Sequence, residues 1–185
     1  ADADQNGHGN PQKKHILCSP LEHDSVAKVI SRLQNEGWQI EYMPVSAEGV
    51  VSVSATEELI REDTALLVIQ LVNSELGTLQ PVKKLAEIAH THGARVHCDA
   101  VQAFGKIAID VQDLNVDALS VSAHKLYGPK GIGAVWLRPS VEWKAFLTSS
   151  TRKSFRPGTL AVPSMAAFAA AVKEAMMDRE AEYER

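Results

Sequence analysis

The segment ALLVIQLV, at residues 65–72, limits the possible folds of this chain more than any other part of the sequence. All of its side chains are apolar except Gln70. A strand with one solvated face alternates apolar and polar residues, whereas a strand covered by helices on both faces is apolar throughout. The segment therefore predicts a central strand of a sheet with helices on both sides.

The rest of the chain alternates between strand patterns and helix patterns. Helices are predicted from Asp24 or Ser25 as the cap to Gly37, from a capping box of Ser54 and Glu57 to about residue 62, over 82–92, and from Ser164 to the end. Further strands are predicted at 15–19, 39–45, 94–98, 118–122 and 133–137. This alternation predicts an α/β fold with right-handed crossovers and a mostly parallel, doubly wound sheet.

Composition and charge exclude several classes of protein. The net charge of −4 argues against a basic nucleic-acid-binding surface, and no apolar run approaches the roughly 18 residues of a membrane span. Residues 1–14 are polar and predict a head or linker, which leaves 15–185 as the folded core. Two cysteines are too few for a disulfide framework, so a cytoplasmic location is expected.

Polar side chains follow several of the predicted strands, where ligands bind in sheets of this kind. They are Glu22 and His23; Asn73, Ser74 and Glu75; Asp99 and Gln102; and Ser122, His124 and Lys125. Each one alone is typical of a turn or a helix cap. Together they predict a single crevice lined by amide, carboxylate, hydroxyl, imidazole and amine groups. The glycines of residues 120–134 do not form a P-loop, because Lys130 is followed by Gly131 and then by a strand.

Five segments, in order, resemble those of cysteine desulfurases, members of the class V aminotransferase group of pyridoxal 5′-phosphate (PLP) enzymes. They are EHDSV at 22–26, VNSELG at 72–77, HCDAVQAFGK at 97–106, SAHKLYGPKGIG at 122–133 and RPGT at 156–159. The resemblance covers roughly residues 15–175. It implies that residues 15–185 are the core of the large, PLP-binding domain of an aminotransferase-like fold.

The resemblance implies a role for each residue around the cofactor ring. Lys125 would hold the PLP aldehyde as a Schiff base, and Asp99 would keep the pyridine nitrogen protonated. Gln102 would bind the phenolate oxygen, and Asn73 would approach the same side of the ring and the substrate. His23 would stack on the ring and shuttle protons. Without the motifs, the same residues would be a solvated lysine, turn residues and a helix-start histidine.

The resemblance also implies phosphate and substrate contacts. Ser122 and His124 would bind the cofactor phosphate, and Arg156 would lie near the substrate. Thr159 would reach the phosphate of a neighbouring subunit, which implies a homodimer. No cluster has metal-ligand spacing; His90 and His92, two residues apart, would point to different faces of a helix.

Some segments depart from the family pattern. TSSTRKS, at 148–154, stands where the family has Gly-Gly-Gly-x-Glu. The family's N-terminal phosphate-binding segment would precede residue 1, and its small C-terminal domain with the persulfide-forming cysteine would follow Arg185. Cys18 and Cys98 are expected to be buried, inert thiols. We therefore expect the chain to be part of a longer enzyme.

The expected reaction of the whole enzyme converts L-cysteine to L-alanine and passes sulfur, as an enzyme persulfide, towards an acceptor protein. A selenocysteine lyase or another class V PLP enzyme is the close alternative, and a non-catalytic PLP-binding or dimerisation module is a second. Alone, the chain is expected to be inactive. A Rossmann dehydrogenase is disfavoured, because no Gly-x-Gly-x-x-Gly stands at a strand-to-helix turn.

Overall fold

A computed structural model describes residues 13–143 and 158–183 of the chain. The strands are β1 (His15–Cys18), β2 (Gln39–Tyr42), β3 (Thr64–Gln70), β4 (Arg95–Asp99), β5 (Ala118–Ser122) and β6 (Gly133–Leu137). The helices are α1 (Asp24–Asn35), α2 (Val53–Leu59), α3 (Val82–Thr91) and α4 (Val162–Tyr183), and a short 3₁₀ helix spans Ala123–Leu126. Among the described residues, no helix combines the length and apolarity that crossing a membrane requires.

The six strands form one sheet in the order β2–β1–β3–β4–β5–β6. The first five are parallel to one another, and β6 pairs with β5 in the antiparallel direction. This confirms the predicted mostly parallel sheet. The antiparallel edge strand follows from the short turn after the 3₁₀ helix, because a parallel strand would need a longer crossover.

Helices cover both faces of the sheet, as the pattern of residues 65–72 predicts. On one face, Leu67 and Ile69 of β3 pack in a core with α2 and α3, to which Leu85 of α3 contributes a fully buried side chain. On the other face, Val68 packs with Ile30 of α1. Successive side chains of β3 thus pack into cores on opposite faces of the sheet. This explains why Leu67, Val68 and Ile69 are all apolar.

The predicted caps of two helices are wrong. His23, rather than Asp24 or Ser25, is the N-cap of α1, and its Nδ1 accepts a hydrogen bond from the Ser25 backbone N–H at 3.1 Å. Ser52, rather than Ser54, caps α2, with its Oγ 3.3 Å from the Ala55 N–H. In both places the chain enters the helix earlier than the sequence pattern indicates.

Candidate functional site

Four neighbouring strands end at the same edge of the sheet. Because β1, β3, β4 and β5 are adjacent and parallel, their carboxyl ends lie side by side. Gln70, at the end of β3, pairs in register with Asp99, and Asp99 pairs with Ser120 of β5. Asp99 therefore stands between two neighbouring strand ends, where ligands bind in sheets of this type.

Asp99 lines a cavity of about 430 Å³ that lies against α1, together with His97 and Ser120. One carboxylate oxygen of Asp99 accepts the Val101 N–H at 2.9 Å, as in an Asx turn. The His97 ring lies 2.9 Å from Ser120 Oγ, and burial lowers its pKa even though the negative charge of Asp99 opposes the shift. At neutral pH the ring beneath Asp99 is therefore uncharged.

Lys125 lies on the 3₁₀ helix that follows β5, and its side chain is exposed. It lines a second cavity, of about 710 Å³, together with Lys106 and residues of α4 such as Glu174. Lys106 donates a hydrogen bond to Gln102 Oε1 at 3.1 Å. Burial, followed by the positive charge of Lys125, lowers the pKa of Lys106. The second cavity thus has two amines, and the motif reasoning identified only one of them.

Two backbone positions close to Lys125 are tightly constrained, one in the segment after β4 that packs against Leu126 and one two residues after Lys125. Gly105 has a φ of +80°, and a Cβ there would collide with the side chain of Leu126. Tyr127 has a left-handed φ of +58°, which is unfavourable for a residue with a side chain, and its ring is exposed to solvent. Backbone strain of this kind concentrates at functional sites, so it supports a site at Lys125.

Ser122 and His124 form a pair at the beginning of the 3₁₀ helix. Ser122 Oγ lies 2.6 Å from His124 Nδ1, and Ser122 itself has extended backbone geometry. A hydroxyl and an imidazole this close can both turn towards an anion. The structure brings together the two residues that the resemblance assigns to phosphate binding.

The segment before α1 is fastened to the end of β3. Glu22 Oε1 accepts the Gln70 backbone N–H at 2.6 Å, and the Gln70 side-chain amide donates to the Leu21 carbonyl. Asn73 Nδ2 donates to the same carbonyl at 3.3 Å. His23 follows this anchored segment, and its ring nitrogen is engaged in capping α1. The roles of Gln70 and Glu22 as anchors were missed by the sequence analysis, although Gln70 was the single polar residue of residues 65–72.

Asn73 is buried, and its side chain organises the loop after β3. Its Oδ1 accepts the backbone N–H groups of Glu75 and Leu76 at 2.9 and 2.8 Å, and its Nδ2 holds Leu21. The loop and the segment before α1 are therefore joined through one side chain. A role in contacting the cofactor ring stays a prediction beside this structural role.

The single crevice expected from the sequence stays a prediction. Lys125 lines the cavity beside α4, and Asp99 lines the cavity against α1, at the ends of the neighbouring strands β5 and β4. Thr159 is exposed, and its contact with a second subunit stays a prediction. Arg156 and the segment 148–154 lie outside the described residues.

Both cysteines are buried, as expected. Burial raises the pKa of Cys18 to about 12 and also raises that of Cys98. The thiolate is the reactive form of cysteine, so neither side chain is a nucleophile near neutral pH. Within 13–143 and 158–183, no group of three or more histidines, cysteines, aspartates or glutamates is arranged to hold a metal ion.

Comparison with known proteins agrees with this geometry. The family model described as aminotransferase class-V matches residues 4–183. The mitochondrial cysteine desulfurase of Candida albicans is 40% identical over 176 residues, which are 94% of this chain and 36% of that protein. Cysteine desulfurase IscS of Vibrio vulnificus is 38% identical over 94% of this chain and 44% of its own length.

A solved structure described as SspA in complex with cysteine has a TM-score of 0.82 and 38% sequence identity. It matches 87% of this chain and 47% of the other. The mostly parallel sheet of this chain has a lysine, an aspartate and a hydroxyl–imidazole pair at its carboxyl edge. The chain belongs to the class V aminotransferase family. It spans less than half the length of these relatives.

The enzymes of this family depend on PLP, and the donor set of the site fits that cofactor. An amine is available for the aldehyde at Lys125, and a carboxylate for the pyridine nitrogen at Asp99. Ser122 and His124 supply donors for the phosphate. Asp99 and Ser122 lie on adjacent paired strands, so the fold supports these groups from rigid elements rather than from long loops.

Proposed function

We propose that this chain is most of the PLP-binding lobe of a cysteine desulfurase. The observation that carries the proposal is the placement of Asp99, Ser122 and Lys125 at the ends of neighbouring strands, in a chain whose curated relatives are cysteine desulfurases. By this proposal, residues 15–185 are the lobe and residues 1–14 are a head or linker.

When bound, PLP supplies an electron sink for bonds at the α-carbon of an amino acid. Lys125 would hold the cofactor covalently through its amine, and Asp99 would keep a proton on the ring nitrogen. Ser122 and His124 would orient the phosphate, and Gln102 would face the phenolate oxygen. His23 would cover the ring and move a proton at its Nε2, because its Nδ1 already caps α1.

The proposed substrate is L-cysteine, which would be converted to L-alanine with transfer of sulfur to a cysteine thiol. A structure described as a complex with cysteine, similar over most of this chain, supports this choice. Asn73 and Arg156 would contact the substrate. Selenocysteine is the closest alternative, since it differs by one atom. Because Cys18 and Cys98 are buried, the sulfur-accepting thiol of the whole enzyme would lie outside this chain.

The proposed partners follow from the family. Thr159 would reach the phosphate of a second copy in a homodimer, and the sulfur would pass to an acceptor protein, for instance in iron–sulfur cluster assembly. A cytoplasmic location stays our prediction, and several relatives are named as mitochondrial. A second candidate function is a non-catalytic PLP-binding module, which is favoured by the absence of the glycine triplet from residues 148–154.

A PLP titration tests the proposal. The visible absorbance of the chain with PLP is compared with that of Lys125→Ala and of Lys106→Ala, the matched control in the same cavity. We expect a new band in the wild type and in Lys106→Ala that Lys125→Ala lacks. Identical spectra for wild type and Lys125→Ala would refute the assignment. Sulfide release from L-cysteine by the 185-residue chain itself, at rates typical of enzymes, would refute the expectation that it is inactive alone.

A further inference from the structure

Glu22 has a carboxyl group at the candidate site. None of the cofactor contacts proposed for the site involves this group. Glu22 immediately precedes His23, and its side chain is partly buried. One oxygen, Oε1, is held by the Gln70 N–H at 2.6 Å, and the other, Oε2, is shielded from solvent with no hydrogen-bond partner among the described residues. A buried carboxylate oxygen without a partner is costly when it is charged.

A second carboxylate lies close to Glu22. Gln70, which binds Glu22, pairs in register with Asp99 on the neighbouring strand. The negative charge of Asp99 therefore acts directly on Glu22. Two neighbouring carboxylates do not both ionise easily, and ionisation is costly for the partly buried Glu22.

We propose that Glu22 is a positioning residue of the cofactor site whose carboxyl group resists ionisation, fixing the segment before His23 to β3 and leaving Asp99 as the partner of the cofactor ring. The inference rests on the proposed PLP site, because that site gives Asp99 its role. An uncharged Glu22 also carries a proton on the carboxyl group, which its partnerless Oε2 can share with a group that enters the site.

The charged and titratable neighbours of Glu22 are consistent with this role. Burial raises the pKa of Glu22 to about 7, the Gln70 N–H opposes the shift, and Asp99 adds to it. Cys18 in β1 and Cys98 in β4 are the other titratable groups that Glu22 influences, and both remain protonated thiols near neutrality. Glu22 therefore loses its proton near neutral pH, where ordinary carboxyl groups are fully ionised.

Carbon-13 NMR of the chain with labelled glutamate carboxyls, without PLP, tests the proposal. We expect one glutamate signal to titrate near pH 7. It should be absent from Glu22→Gln, which keeps the amide oxygen for Gln70, and present in Glu75→Gln, a control at an exposed glutamate in the loop after β3. In Asp99→Asn the same signal should titrate at lower pH, because the neighbouring negative charge is removed.

Three results would overturn the proposal. They are a wild type in which every glutamate titrates near its ordinary pKa, a high-pH signal that survives Glu22→Gln, and an unchanged midpoint in Asp99→Asn. If Glu22→Gln does not fold, the titration midpoints of the wild type and of Asp99→Asn still test the proposal. Because the titration needs no cofactor, a chain that fails to bind PLP would refute the proposed function without affecting this result.

Discussion

Replacing Asn73 with alanine removes the side chain that joins the loop after β3 to the segment before α1. Three hydrogen bonds are lost: those from the N–H groups of Glu75 and Leu76 to Oδ1, and the one from Nδ2 to the Leu21 carbonyl. A typical intramolecular hydrogen bond contributes about 1 kcal/mol net. The loop N–H groups become accessible to water, and Leu21 keeps its bond from Gln70, so the desolvation penalty is small.

We therefore expect Asn73→Ala to lower the free energy of unfolding by about 2–3 kcal/mol. Asn73→Asp keeps the Oδ1 acceptor but places a second carboxylate oxygen against the Leu21 carbonyl, so its cost should be about 1–2 kcal/mol. Ser74→Ala, at the exposed neighbouring position, should change stability by less than about 0.5 kcal/mol. Urea unfolding of the four chains, followed by circular dichroism, measures these differences.

An Asn73→Ala variant that unfolds at the same urea concentration as Ser74→Ala would contradict the predicted loss of stability. That outcome would mean that the three bonds are replaced by solvent at no cost. Asn73 would then be free for a direct contact with substrate or cofactor, which is the role that the resemblance implies. An Asn73→Asp variant less stable than Asn73→Ala would also contradict the account, because it keeps the two shorter bonds.

Three further predictions concern the surroundings of the site. Asp117→Ala should lower the free energy of unfolding by about 3–5 kcal/mol, because Arg138 and the Val96 N–H lose their buried partner. A loss below about 1 kcal/mol in thermal or urea unfolding would contradict this prediction. The pKa of His97 is lowered in the folded state, so its contribution to stability is present above its ordinary value of 6.5 and is lost as the pH falls below it. His97→Gln should therefore lose less stability than the wild type between about pH 7.5 and about pH 5.5, and parallel curves would refute this. Tyr127→Val, which places a branched side chain at a φ of +58°, should lower stability by at least about 1 kcal/mol, whereas Tyr127→Gly should not; equal urea midpoints would show that this backbone is unstrained.

The strands were the most predictable part of the fold. The bounds of β5 and β6 agree with those expected from the sequence, since both strands are bordered by residues that favour turns. The strand at 65–72 ends two residues early, at Gln70, and Val72 instead forms an isolated antiparallel bridge with Leu79. Tertiary hydrogen bonds of this kind leave no local pattern in the sequence.

The helix caps and the interior of the site were less predictable. Asp24 and Ser25 were preferred to His23 as the cap of α1, because serine, threonine, aspartate and asparagine are the usual caps. The anchoring of Glu22 to Gln70 depends on the pairing of β1 with β3, which lie far apart in the chain. The packing of α4 against the 3₁₀ helix, where α4 lines the cavity of Lys125, joins parts of the chain that are far apart in sequence, and periodicity alone does not reveal it.

The most direct test of the account is to trap PLP on the chain with borohydride and to find the modified lysine by peptide mass spectrometry. We predict that the adduct lies on the peptide that contains Lys125, and that saturation corresponds to one PLP per chain. Lys106 lines the same cavity and is the internal comparison. An adduct mainly on Lys106, or spread over exposed lysines such as Lys28, would contradict the assignment of Lys125 as the cofactor lysine.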